Sequence, residues 1–128
     1  MSAKQMINIA EAFQRADRAL VACPAFARYC EIGNYQQAIQ DAADEKCPWP
    51  EGPEPAPLTG AELLELEPLW AARADAWVEW SDLVHRAMRG HLTVEERATA
   101  VREATRKGQI GTMFAELVET FHAARRWT

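Results

Sequence analysis

The sequence predicts an all-α fold: a compact bundle of five to six helices, one proline-rich loop over 47–58, and a kinked central helix. Three observations carry this. Apolar residues recur at three- and four-residue steps through most of the chain. Two Thr-x-x-Glu capping boxes, with glycines and prolines near the ends of periodic segments, mark where helices start and stop. No run alternates apolar and polar residues between hairpin turns, so no strand is predicted. At 128 residues the chain is read as a single helical domain over 1–128. A chain of this size buries roughly two-thirds of its unfolded surface, so it needs neither metal nor disulfide to fold.

The first helix is expected at about 3–22, with Met6, Ile9, Phe13, Ala16 and Leu20 on one apolar stripe. Pro24 ends it and opens a short helix over 24–31 that offers Phe26, Tyr29, Cys30 and Ile32. Gly33 suits a C-terminal cap and Asn34 an N-terminal one, which predicts a separate third helix over 35–46 with Tyr35, Ile39 and Ala42 inward. The stretch 47–58 follows, where prolines at 48, 50, 53, 55 and 57 exclude helix and central strand.

Thr59 and Glu62 form the first capping box, flanked by Leu58 and Leu63 at hydrophobic-staple positions. The helix they open is expected over 60–89 and to end at Gly90. A straight 30-residue helix would be about 45 Å long, against roughly 36 Å for the diameter of one compact domain of this size. A kink or break near Pro68 would resolve the mismatch. Leu66, Trp70, Trp77 and Val84 lie on one apolar face, and Leu69, Ala76, Trp80, Leu83 and Ala87 on the next. Asp75, Glu79, Asp82, Arg86 and Arg89 form a solvated stripe, with Asp82 and Arg86 at i, i+4. Thr93 and Glu96 repeat the capping box and start a helix over 94–107, with Val94, Ala98, Val101 and Ala104 inward and Gly108 as its cap. The last helix is expected over 109–126, on Ile110, Met113, Phe114, Leu117, Val118 and Phe121.

The net charge is −5 and is unevenly spread. Residues 1–67 hold 5 basic and 11 acidic side chains; residues 68–128 hold 9 and 8. Between 41 and 67, eight acids face only Lys46. That field repels phosphate backbones and disfavours direct nucleic-acid binding. Arginines at 97, 102, 106, 125 and 126, with Lys107, are interspersed with glutamates and read as a salt-bridged, solvated surface.

No apolar run reaches the roughly 20 residues that span a bilayer, and the opening residues lack a secretory pattern. With three cysteines, an odd number, a cytoplasmic location is expected. Cys23, Cys30 and Cys47 are read as buried small hydrophobes, and His85, His91 and His122 as surface or helix-end residues. Their spacing matches no zinc pattern, and no nucleophile elbow, Walker or dinucleotide fingerprint occurs. No catalytic residue, metal or cofactor is therefore assigned.

What remains is surface. Five tryptophans stand out: Trp70, Trp77 and Trp80 at helical spacing, Trp49 between prolines, and Trp127 near the C-terminus. The sequence points to a non-catalytic protein–protein interaction module acting as an inhibitor, adaptor or assembly factor. A phage or mobile-element accessory protein, such as an inhibitor of a host defence system, has this acidic, motif-free character. The expected partner is a protein with a basic surface, held by Asp41, Asp44, Glu45, Trp49, Glu51, Glu54, Glu62 and Glu65. The chain itself is expected to be a monomer or small homo-oligomer. The alternatives are a small thiol- or metal-dependent enzyme using Cys23, Cys30 or Cys47, and a self-associating structural subunit.

Overall fold

The computed structural model describes residues 1–126 and is all-α, with five helices and no strand among those residues. They are α1 (Ala3–Val21), α2 (Pro24–Ala43), α3 (Gly60–Met88), α4 (Val94–Ala104) and α5 (Gln109–Arg126). Trp127, singled out in the sequence, lies outside the described residues.

The two short helices expected over 24–31 and 35–46 are one helix, α2. Gly33 does not adopt the positive φ that would cap a helix there. A glycine inside a helix costs about 1 kcal/mol but does not end it. The flanking Ala25, Ala27, Gln36, Gln37 and Ala38 are good helix formers that carry the helix through. The helix ends instead at Asp44, the C-cap, and Glu45, whose φ is 61°. The Lys46 N–H donates to the Asp41 carbonyl at 3.0 Å and the Glu45 N–H to the Ala42 carbonyl at 3.0 Å. This is a Schellman closure with glutamate in the left-handed position that glycine usually occupies. Gly90 (φ 71°) closes α3 in the same manner, with the His91 N–H on the Arg86 carbonyl at 2.8 Å.

α3 runs unbroken through Pro68. The sequence predicted a kink or a break at Pro68 on the premise of one core; the helix does not break, and the chain divides into two compact units. The larger comprises Met1–Asp17 and Ala72–Thr128, the smaller Arg18–Ala71, so both α1 and α3 contribute residues to each. A long helix that serves two cores need not stop at the width of one. Pro68 lacks the N–H that would bond the Leu64 carbonyl, and both residues sit on an exposed face.

The larger unit closes around Met6, Trp80, Leu83, Phe114 and Leu117, with the Trp80 and Phe114 rings edge to face at 6.0 Å. α4 turns a different face to this core than its valines suggested. Val94, Ala98 and Val101 are exposed, while Glu96, Thr99 and Ala100 are buried. The cause is Glu96. Its Oε1 accepts the Thr93 N–H at 3.0 Å and the Arg86 guanidinium at 2.6 Å, while the buried Oε2 has no hydrogen-bond partner among the described residues. Arg86 thus leaves the solvated stripe for a buried partner rather than pairing with Asp82. Gly108 (φ 126°) caps the start of α5, its carbonyl accepting the Thr112 N–H, rather than the end of α4. The smaller unit packs Leu20, Ala25 and Leu66 with the half-buried Cys23, Phe26, Leu58 and Leu69.

Candidate functional site

Most of the acidic residues singled out in the sequence are exposed in the smaller unit. Asp44 and Glu45 form the end of α2, Glu51 and Glu54 lie in the proline loop, and Glu65 lies on α3. Asp41 is half-buried and accepts from the Gln37 amide at 3.0 Å. Trp49 does not fold back to close the core: it is 62 % exposed.

Glu62 is different. Its carboxylate pairs with Arg28 through two bonds, 2.6 Å from Nε and 3.2 Å from Nη2, and takes the Thr59 N–H of its capping box at 3.0 Å. Hydrogen bonding to Arg28, and then to the Thr59 N–H, holds this carboxyl below the usual glutamate range, while Glu62 in turn raises Arg28. Arg28 also donates to the carbonyls of Ala56 and Pro57, both at 3.1 Å. One guanidinium therefore ties α2, the end of the proline loop and the start of α3 together. Glu62 belongs to the scaffold of the acidic region rather than to its free surface.

Beside this clamp lies the feature that the sequence reading missed. An open, almost wholly apolar groove of about 620 Å³ is lined by Tyr29, Leu58, Leu63, Leu66, Glu67, Trp70 and Ala71. Its aromatic wall is a small cluster: the Tyr29 and Trp70 rings meet edge on at 5.1 Å, and Phe26 lies 5.8 Å from Trp70. Tyr29, Leu63 and Trp70 are 47 %, 53 % and 39 % exposed, so large apolar surface stands open to solvent. A second groove of about 480 Å³ adjoins it, sharing Tyr29 and Leu58 and running past Cys30, Ile32 and Pro57. Helical spacing placed Trp70 on an apolar face, and periodicity cannot separate a core face from an open groove. The available signal was Phe26, Tyr29 and Trp70 together: too many large aromatic rings for a unit this small to enclose.

Charge follows the same division. The smaller unit holds nine acidic and three basic side chains, the larger ten and eleven. Of the three cations, Arg28 is already engaged by Glu62 and the loop carbonyls. In the larger unit Arg106 pairs with Glu103, Arg86 with Glu96 and Arg73 with Asp17, and Arg97 and Arg125 lie over the Phe121 ring at 5.3 and 5.5 Å.

The cysteines are not uniformly buried. Cys23 and Cys30 are half-buried, and Cys47 is exposed in the non-helical segment that follows α2. All three are free thiols, and Cys23 occupies the N-cap of α2. Among the described residues no group of three or more His, Cys, Asp or Glu is placed to hold a metal ion. No helix among them is long and apolar enough to cross a membrane. Comparison with protein-family models, with curated proteins and with solved structures finds no match to this chain.

Proposed function

We propose that the chain is a non-catalytic protein–protein interaction module of inhibitor, adaptor or assembly-factor type, which docks a basic partner surface through its acidic 41–67 region. The observation that carries this reading is a coincidence within one unit. The smaller unit combines a net charge of −6 with large exposed apolar side chains, among them Trp49, Tyr29 and Leu63. Acidic side chains speed encounter with a cationic surface, and exposed aromatic anchors supply the short-range energy. A solvated charged face alone would lack such anchors.

The test reverses charge only where the fold does not use it. Asp44, Glu51, Glu54 and Glu65 are each changed to Lys; Glu62 is spared because Arg28 depends on it. Wild type and the fourfold variant are used to capture proteins from a lysate of the source organism at low and high salt. Proteins held by the wild type should be lost with the variant and released by salt, with the helical circular dichroism unchanged. Equal capture by both chains, insensitive to salt, removes the acidic region as the interface.

A further inference from the structure

We infer that the groove between Tyr29 and Trp70 is the seat of one amphipathic helix of that partner, with large apolar side chains on its inner face and Lys or Arg along its flanks. This rests on the docking reading above and names the form of its ligand.

The argument begins with hydrogen bonding. The lining is leucine and aromatic ring, with Glu67 as its one charged member. An extended peptide laid there would find almost nothing on the wall to bond its N–H and C=O groups and would depend on water for them. A strand cannot be added either, because the described residues contain no sheet edge. A helix arrives with its backbone already paired and needs from the groove only apolar contact.

Charge then selects the flanks. Glu67 lines the groove as its one carboxylate, and the guanidinium of Arg28 is occupied by Glu62 and two loop carbonyls. The groove therefore carries an acidic group that Arg28 does not neutralise, within a unit of net charge −6. Lys or Arg beside the apolar anchors finds a carboxylate there, whereas Glu or Asp meets repulsion.

The experiment is a selection. A displayed library of helix-forming peptides of about 18 residues, randomised on all faces, is panned against the full-length protein. Enriched sequences should carry large apolar residues at i, i+3 or i+4, and i+7, with Lys or Arg adjoining. Their binding should weaken with salt. It should also fall about tenfold or more with Leu63→Gln and, separately, with Ala71→Gln, which narrows the groove by size alone. Both positions are exposed and helical, so both variants keep the fold and the charge. Enrichment of uncharged, acidic or proline-rich extended sequences overturns the proposal. So does binding indifferent to both variants, or no enrichment at all. The two readings fail separately. If the fourfold charge reversal abolishes capture from lysate while Leu63→Gln and Ala71→Gln leave it intact, the groove is not the seat and acidic docking stands. If none of the three changes capture, both fall.

Discussion

Gly111 shows how a single hydrogen can decide a contact. It is buried in α5, and a Cβ built on it would stand 2.0 Å from the Arg106 carbonyl oxygen and 3.0 Å from that of Glu103. Both obstacles are backbone, so neither can swing aside. Gly111→Ala should destabilise the chain by about 3 kcal/mol, at the upper end of overpacking costs, as read from the midpoint of urea denaturation. If the midpoint is unmoved, α5 does not approach the end of α4 this closely. Residue identity alone did not reveal such roles. Glu62 and Glu65 are the same residue type three positions apart, yet one is clamped by Arg28 and the other is free. The capping-box position of Glu62 was legible in the sequence; the arginine that occupies it lies 34 residues away and was not.

The helices were legible where local chemistry decides them. Both capping boxes form as expected, at Thr59–Glu62 and Thr93–Glu96, because they need only residues three apart. Failures came where a distant partner overrode local preference. The valines of α4 indicated one face, but Arg86 draws Glu96 inward and turns another to the core. That buried carboxyl has a measurable consequence. Burial pushes its pKa up, but the Thr93 N–H and the Arg86 guanidinium outweigh this and hold it below its ordinary value. A depressed folded pKa means that the ionised group stabilises the fold above the unfolded value, about 4.3, and that this is lost as pH falls through the folded value. Glu62 is shifted in the same direction by Arg28. Stability should therefore drop on acidification below about pH 4.3. Glu96→Gln should cost about 2 kcal/mol at pH 7 and flatten that drop without removing it, because Glu62 remains. Denaturant titrations at pH 7 and pH 3 on both chains check this; an equal loss of stability in the two chains would mean that Glu96 ionises alike in the folded and unfolded states.

At the scale of the whole molecule, the all-α architecture was readable from periodicity, while the division into two units was not. Both α1 and α3 cross the boundary without a proline-rich or glycine-rich linker to mark it, and the one such segment, 47–58, lies wholly within the smaller unit. The two cores differ in quality. The larger fully encloses Met6, Leu83, Phe114 and Leu117, whereas the smaller rests on Leu20, Ala25 and Leu66 with largely half-buried neighbours. Local opening follows buried apolar contact, so amides of α2 should exchange with deuterium well before those of α5, by about tenfold or more in rate. Equal protection across the two helices would show that the chain opens only as a single cooperative body.

The open groove gives the protein an optical property as well. Trp70 stands half in solvent on its wall, while Trp80 is sealed against Phe114. Indole emission depends on the polarity around the ring; among the described residues Trp49, Trp70 and Trp77 are open to solvent and Trp80 is shielded. Changing Trp49 and Trp77 to Phe would leave Trp70 as the exposed label on the groove wall and Trp80 as the shielded reference among the described residues.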